Sequence, residues 1–194
     1  MIPSSRARYG ADQRRALLDV ALRAVRHGIR HGAAEAVPLS GFPASLRAPR
    51  ATFVTLKRDA RLRGCIGSLE AVRPLVADVN ANAFAAAFRD PRFPPVSEHE
   101  VEQIAISISV LSEPEVLAVD SERALLEQLQ PGLDGLILQS GPLRGTFLPA
   151  VWESLPEPRD FLRQLKLKAG LKVDHWPEGM RVWRYSVEVV EEQV

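Results

Sequence analysis

The sequence predicts an α/β protein of the α+β kind, folded as one domain or as two closely associated lobes. Its 194 residues exceed one minimal domain but fall short of two full ones. With 46% hydrophobic and 25% charged residues, the composition is typical of a folded chain and excludes a disordered one. The 15 prolines and 12 glycines predict frequent breaks and therefore short helices and strands.

The first half of the chain predicts two helices and a β-hairpin. Apolar residues spaced three and four apart indicate the helices, and runs of β-branched and aromatic residues indicate the strands. Gly28 and Gly32 end the first helix, and Asp90-Pro91 ends the second, because the residue before a proline avoids helical dihedrals. In order, we predict a helix over 12–26, a loop over 33–50, strands over 52–57 and 61–69 joined by a turn at 58–60, and a helix from 74 to about 89.

The second half predicts shorter elements with one clear amphipathic strand. Ser97 and Glu100 form a capping-box pattern, which assigns both residues to structure. Residues 103–111 alternate between isoleucine or valine and small side chains that include Ser107 and Ser109, so this strand has a core face and a small polar face. The remaining predictions are a helix over 121–130, a hairpin of strands over 135–139 and 144–148, a helix over 158–169 and a strand over 181–191.

The composition also predicts that the protein is located in the cytoplasm. No stretch approaches the roughly 20 apolar residues that a membrane span needs. Asp12 and Arg14 interrupt the apolar positions near the N-terminus, which argues against a signal peptide. The single cysteine, Cys65, excludes an intramolecular disulfide. We therefore expect a cytoplasmic protein without membrane contact.

Positive and negative charges are distributed unevenly along the chain. Residues 1–73 contain 14 basic and 5 acidic residues, a net charge of +9, whereas residues 74–194 have a net charge of −8. A basic half is typical of a surface for phosphate or nucleic acid. The alternative, which we favour, is that the halves fold against each other and pair their charges. No aromatic RNA-binding motif or helix-turn-helix signature accompanies the basic residues.

The segment LRGCIG around Cys65 has the strongest chemical character. On a strand, Arg61, Arg63 and Cys65 share one face, and two guanidiniums would favour the nucleophilic thiolate. Gly64 and Gly67 remove side chains beside the cysteine and would let a substrate or a second backbone approach closely. The alternative interpretation is that Cys65 is one more small buried residue of the core.

Other motifs give weaker signals. Asp90 and Arg92 form either a rigid elbow or an anion site in a proline-rich loop. A cysteine nucleophile needs a base, for which His175 is the best candidate, although nothing in the sequence links it to Cys65. The sequence contains no glycine-rich phosphate loop and no cysteine–histidine cluster, so it identifies no nucleotide fold, metal centre or other cofactor.

His27 and His31 lie four residues apart, with Glu35 four residues further on. This spacing resembles a metal-binding face of a helix. Gly28 and Gly32 fall inside the stretch and weaken the helix that the geometry requires. We therefore predict no metal site and interpret both histidines as solvated residues at a helix end.

The motifs together resemble the AMME chromosomal-region (AMMECR) family. LRGCIG is the signature hexapeptide of that family. The segments DPRFPP (residues 90–95), SISVL (107–111) and KAGL (168–171) follow in the order in which the family has them, and the similarity extends over about residues 12–190. Val151-Trp152-Glu153 is most similar to the bacterial branch called AmmeMemoRadiSam system protein A, which is named for its Memo-like and radical-SAM gene neighbours.

The resemblance implies a two-lobed AMMECR-type fold, in which each lobe has an antiparallel sheet with flanking helices. The larger lobe would cover about residues 1–115 and 179–194, and the smaller about 116–178. The resemblance also implies that the hexapeptide lines a cleft and that Memo-like and radical-SAM proteins are candidate partners. It implies no established reaction.

Four hypotheses about function follow. The first, which we favour, is a cleft around Cys65 that binds a ligand or a partner. The second is an enzyme that uses Cys65 as a nucleophile or redox thiol, the third is an RNA-binding or regulatory adaptor, and the fourth gives the hexapeptide a packing role alone. The candidate catalytic residues are Cys65 and Arg63, and the candidate binding residues are Arg61, Gly64, Gly67, Ser68, Asp90, Arg92, Ser107 and Ser109.

Overall fold

Two antiparallel four-stranded sheets organise residues 8–192, the part of the chain that the computed structural model describes. In chain order the elements are α1 (Ala11–His31), α2 (Ala44–Arg47), β1 (Thr52–Arg58), β2 (Arg61–Gly67), α3 (Leu75–Phe88), β3 (Ile104–Leu111), β4 (Glu115–Leu117), α4 (Glu122–Leu126), β5 (Gly135–Ser140), β6 (Leu143–Phe147), α5 (Pro158–Lys168), β7 (Arg181–Tyr185) and β8 (Val187–Glu191). The predicted α+β class with antiparallel sheets is confirmed. No helix among the described residues is long and apolar enough to cross a membrane.

The first compact unit contains the described residues up to Leu111 together with those from Glu188 to Glu192. Its sheet has the strand order β2-β1-β3-β8. Buried aliphatic residues of α1 and α3, such as Leu17 and Val79, pack with Val54 of β1 in one hydrophobic core. The two helices therefore cover one face of this sheet.

The second compact unit, Ser112–Val187, has its own sheet with the order β4-β7-β5-β6. Its core contains Trp152, which stacks on Phe161 of α5 with ring centroids 3.8 Å apart. The Trp152 indole N–H donates to the carbonyl of Asp134 at 2.8 Å, so the buried ring leaves no unpaired donor.

Helix α1 is longer than predicted and runs through Gly28 to His31. Gly28 is fully within the helix because Phe84 and Phe88 of α3 pack on it. A Cβ at this position would lie 2.2 Å from Cε2 of Phe88. The helix ends at Gly32, the second of the two glycines predicted to end it, which has the left-handed φ of 66° that a C-terminal cap requires.

The strand predicted over 181–191 is two strands that belong to different sheets. β7 pairs with β4 and β5 in the second sheet, whereas β8 pairs with β3 in the first. Residues 181–185 therefore lie in the second unit, although the division drawn from the sequence placed 179–194 in the larger lobe. The helix predicted over 121–130 is also shorter, Glu122–Leu126, and the capping box of Ser97 and Glu100 begins a 3₁₀ helix, Glu98–Gln103.

Candidate functional site

Cys65 belongs to a row of small polar side chains that crosses three strands of the first sheet. The antiparallel register pairs Cys65 of β2 with Thr55 of β1, and Thr55 in turn with Ser107 of β3. All three residues are partly exposed. The residues that alternate with them, such as Val54 and Ile108, are fully buried against the helices. The thiol row, Cys65-Thr55-Ser107, thus lies on the sheet face that α1 and α3 leave free.

The sulfur of Cys65 has a hydroxyl neighbour rather than a base. Thr55 Oγ1 lies 3.3 Å from Cys65 Sγ and donates to it. Among residues 8–192 no histidine or carboxylate side chain is hydrogen-bonded to the sulfur. A threonine hydroxyl does not remove a proton near neutral pH, so this arrangement holds the thiol without activating it as a nucleophile.

The backbone of Cys65 is bound by the loop that follows α3. Because β2 is an edge strand, the N–H and C=O of Cys65 have no partner strand on that side. The Cys65 N–H donates to Asp90 at 2.9 Å, and Arg92 donates to the Cys65 carbonyl at 3.3 Å. Arg92 also donates to both carboxylate oxygens of Asp90. These hydrogen bonds from Arg92, together with the one from the Cys65 N–H, hold the pKa of Asp90 well below its usual range. We call this arrangement the edge clamp.

Arg63 is directed to a carboxylate and not to the thiol. Its Nε and Nη2 donate to the two oxygens of Glu100 at 2.8 and 3.2 Å, and the side chain is only 12% exposed. Glu100 also accepts from Arg58 and from the N–H of Ser97. The hydrogen bond from Arg63 holds the pKa of Glu100 well below its usual range. The Arg63 charge is therefore already compensated.

A β-bulge at Arg63 changes the alternation that the sequence predicts for β2. The register shifts there, so that Leu62 pairs with Lys57 on the face of the thiol row. Arg61 falls on the opposite face and is exposed at the hairpin end. The expectation that Arg61, Arg63 and Cys65 share one face is therefore wrong, because one extra residue inverts the pattern beyond the bulge.

Both glycines of the hexapeptide are sites of close backbone approach within the first unit. A Cβ on Gly64 would lie 2.2 Å from the carbonyl oxygen of Ala86 in α3. A Cβ on Gly67 would lie 2.4 Å from the ring of Phe53 and from the carbonyl of Thr52. Neither glycine therefore forms an empty notch beside the thiol, and both allow neighbouring atoms of the fold to approach the strand.

The row next to the thiol row contains two further candidate binding residues. Phe53 pairs with Gly67 on one side and with Ser109 on the other, and Ser109 is partly exposed. Ser68 lies just beyond β2 and donates its N–H to the carbonyl of Thr52 at 3.0 Å. The structure thus brings Cys65, Gly67, Ser107 and Ser109 onto one face.

Sequence reasoning missed Thr55 and Phe53, which contribute the middle side chains of these two rows. The alternation in the strand predicted over 52–57, combined with the antiparallel hairpin, could have placed both beside the cysteine. Thr55 is the more informative omission because it is the residue that contacts the sulfur.

An open groove of about 1350 Å³ lies in the second unit, and its lining includes His175 and Trp176. The fully buried Lys166 binds two of the lining residues, because its Nζ donates to Glu122 at 2.5 Å and to the carbonyl of Val173 at 2.6 Å. His175 therefore belongs to the second unit and Cys65 to the first.

Within residues 8–192, no three histidine, cysteine, aspartate or glutamate side chains are grouped so that they could hold a metal ion.

The chain is similar to proteins from archaea and bacteria along nearly its whole length. The AMMECR1 family model matches residues 18–190. Protein MJ0810 of Methanocaldococcus jannaschii is 36% identical over 168 residues, which cover 82% of each chain. A protein of Methanothermobacter thermautotrophicus is 37% identical over 187 residues, which cover 93% of this chain and 95% of the relative. A protein of Thermotoga maritima is 38% identical over 171 residues, which cover 87% of this chain and 92% of the relative.

The fold is also similar to a solved structure. The crystal structure of uncharacterized protein PH0010 from Pyrococcus horikoshii matches with a TM-score of 0.77 and 33% sequence identity. The match covers 90% of this chain and 88% of that one.

Proposed function

Because the chain belongs to the AMMECR1 family, whose function is uncharacterised, we propose from its surface that it is a binding module. The binding surface is the free face of the first sheet, centred on the thiol row Cys65-Thr55-Ser107. Its occupant is a partner protein, and the row contributes donors, acceptors and close approach rather than bond-breaking chemistry.

The observation that carries the proposal is the chemical character of the thiol row. Three small side chains stand side by side across strands β2, β1 and β3 on the sheet face that the helices do not cover. Small side chains let a second surface approach the strands closely, and the thiol and two hydroxyls offer hydrogen bonds to it. Partial exposure leaves these groups accessible in the first unit.

A second support is the rigidity of the strand that carries Cys65. The edge clamp of Asp90 and Arg92 satisfies both backbone groups of the cysteine, and the bidentate contact of Arg63 with Glu100 fixes the strand at the bulge next to it. A surface that is already ordered loses less conformational entropy when it binds.

Electrostatics favour binding over the cysteine-enzyme hypothesis. Activation of a thiol needs a base or an uncompensated cation beside the sulfur. Here Thr55 is the neighbour of the sulfur, and Arg63 is paired with Glu100. Asp90 likewise compensates Arg92.

The same charges favour a protein partner over RNA. Lys57 lies on the face of the thiol row, and the guanidiniums of Arg63 and Arg92 beside it are paired with Glu100 and Asp90, so positive charge does not dominate this surface. A surface of mixed sign is typical of protein–protein contacts, whereas nucleic-acid surfaces are dominated by positive charge.

Memo-like and radical-SAM proteins are the partners that we propose to test first. We select these two classes because the sequence is similar to the AmmeMemoRadiSam branch, which is named for its Memo-like and radical-SAM gene neighbours. We propose the cytoplasm as the location, where a single free thiol stays reduced.

The single cysteine makes a direct test of this surface. The rate at which a small disulfide reagent modifies Cys65 would be measured on the free protein and after addition of each candidate partner. We expect a measurable rate for the free protein and at least about a tenfold decrease in the complex, because docking covers the thiol row. An unchanged rate in a complex that demonstrably forms would place the binding surface elsewhere.

A matched pair of variants completes the test. Ser107→Trp fills the centre of the proposed surface, and we expect it to prevent binding of the partner in a titration. Ser154→Trp places the same bulk at an exposed serine of the second unit and should leave binding unchanged. Equal affinities for both variants, with both proteins folded by circular dichroism, would overturn the proposal.

A further inference from the structure

We propose that His27 and His31 form a binding site for a late first-row divalent metal ion such as Zn²⁺, with Glu35 as the carboxylate that orients His27. The site lies on the outer part of α1, away from the thiol row, and is independent of the binding function proposed above. The two imidazoles are the protein ligands, and water fills the remaining positions.

Continuity of α1 is the first argument. The sequence argued against a site because two glycines weaken the helix that an i, i+4 pair of ligands requires. In the structure the helix runs through Gly28, which Phe84 and Phe88 hold in place, and it ends only after His31. His27 and His31 therefore project from consecutive turns on one side of a regular helix.

Distance is the second argument. The imidazole centroids of His27 and His31 are 4.3 Å apart, with a tilt of 36° between the rings. Two Zn–N bonds of about 2.0–2.1 Å at a tetrahedral angle hold the nitrogens about 3.3 Å apart. A nitrogen lies roughly 1 Å from its ring centroid, so a centroid separation of 4.3 Å is compatible with two nitrogens at this spacing.

Glu35 contributes in the way that carboxylates commonly support metal-bound histidines. Its Oε2 lies 4.0 Å from Nδ1 of His27, which leaves Nε2 of that ring for the metal. A carboxylate that accepts the second N–H of a ligating histidine fixes the orientation of the ring. The loop is anchored by the largely buried Asn80, which donates to the Glu35 carbonyl at 2.8 Å. Glu35 is thus held near the pair, although the carboxylate has to approach by about 1 Å to form the hydrogen bond.

The helix end affects a bound cation in two opposing ways. His31 is the last residue of α1, and the partial negative charge of a helix C-terminus stabilises a positive ion. Arg26, which precedes His27, is paired with Glu102 at 2.8 Å, whereas the exposed Arg23 and Arg30 on the same helix oppose a cation and extend into solvent, which screens their charges. Both histidines are accessible, since His27 retains 28% of its side-chain exposure and His31 is exposed.

The test is a calorimetric titration of the full chain with ZnCl₂ at pH 7.5, repeated for five single variants, of which Cys65→Ser is one. We expect one site for the wild type and a decrease in affinity of at least about tenfold for His27→Ala and for His31→Ala, because each removes the chelate. Glu35→Gln should weaken binding by a smaller factor, since it changes only the orientation of the ring. His99→Ala is the matched control and should bind Zn²⁺ like the wild type.

Two outcomes would refute the proposal. One is equal Zn²⁺ affinity for His31→Ala and His99→Ala. The other is loss of Zn²⁺ binding in Cys65→Ser with His27→Ala unaffected, which would assign the ion to the thiol. As an independent readout, the electron paramagnetic resonance spectrum of bound Cu²⁺ should contain splitting from two imidazole nitrogens, and splitting from one in His31→Ala.

Discussion

Replacement of Gly64 by alanine should destabilise the first unit strongly, although it adds only one methyl group. The added Cβ would lie 2.2 Å from the carbonyl oxygen of Ala86 and 3.1 Å from its carbonyl carbon. Both atoms belong to the backbone of α3, which cannot rotate away as a side chain would. Strand β2 and helix α3 would therefore have to separate by about 1 Å to restore an ordinary contact distance.

The size of the effect follows from the packing contacts that are lost when β2 and α3 separate. The C-terminal half of α3 contributes the fully packed residues Ala83, Ala86 and Ala87 to the core. A gap of 0.5–1 Å forfeits roughly a quarter to a half of each affected contact, and overpacking of this kind costs about 1–3 kcal/mol or more. We expect a loss of about 3 kcal/mol, which for a chain of this size lowers Tm by roughly 6–12 °C.

The assay is urea unfolding followed by circular dichroism, with Gly41→Ala as the matched control. A methyl group on Gly41 would have no neighbouring atom within 4 Å, and this glycine has no positive φ, so the same substitution there should change stability by less than about 0.5 kcal/mol. A Gly64→Ala protein that unfolds within about 0.5 kcal/mol of the wild type would refute the close-approach explanation for this glycine.

Three further predictions concern ionic contacts. Arg63→Met should lower the free energy of unfolding by about 1–3 kcal/mol, because it leaves Glu100 largely enclosed with fewer donors, whereas Arg61→Met should have little effect; urea unfolding of the two variants side by side checks this. The pKa of Glu100 is lower in the folded state than in the unfolded chain, so the ionised carboxylate stabilises the fold fully above about pH 5, and this contribution is lost as the pH falls further. Arg63→Met should therefore make the loss of stability between about pH 5 and pH 2 less steep, as measured by urea unfolding across this range. A steeper loss in the variant would contradict the direction of the pKa shift. Glu122→Gln should destabilise the second unit by about 3 kcal/mol because it leaves the buried Lys166 charge uncompensated, whereas Lys166→Met, which leaves a partly exposed carboxylate, should cost less than about 1 kcal/mol; equal Tm changes would contradict this asymmetry.

Local patterns in the sequence were sufficient for the elements that form the candidate site. The alternation of residues 103–111 predicted both the strand and its small polar face with Ser107 and Ser109, and the hairpin of β1 and β2 followed from β-branched runs around a short turn. These features depend on the periodicity of apolar and polar side chains, which can be read directly from one sequence.

The differences arose where distant residues decide the local structure. Gly28 remains helical because Phe84 and Phe88, more than fifty positions further along, pack on it. A bulge forms at Arg63, whose guanidinium donates to Glu100. The bulge moves Arg61 to the opposite face of the sheet from the one that alternation predicts. Tertiary contacts of this kind override propensity and period, and no window around either residue contains them.

The segment predicted as one strand over 181–191 illustrates the same limit. Its alternation continues through Ser186, yet β7 and β8 pair in different sheets. Pairing partners, and not the pattern of the segment, determine where one strand ends and the next begins.

The discontinuous first unit has a consequence for how the protein emerges from the ribosome. Strand β8, with the fully buried Val190, completes the sheet that β1–β3 begin, but 76 residues of the second unit are translated in between. At about 5–20 residues per second, this delay lasts roughly 4–15 s. During that time the outer backbone of β3 has no neighbour, whereas the second unit can finish folding from a continuous stretch of nascent chain. The order of synthesis thus makes the N-terminal sheet the last to close and exposes its β3 edge to neighbouring nascent chains and chaperones in the interval.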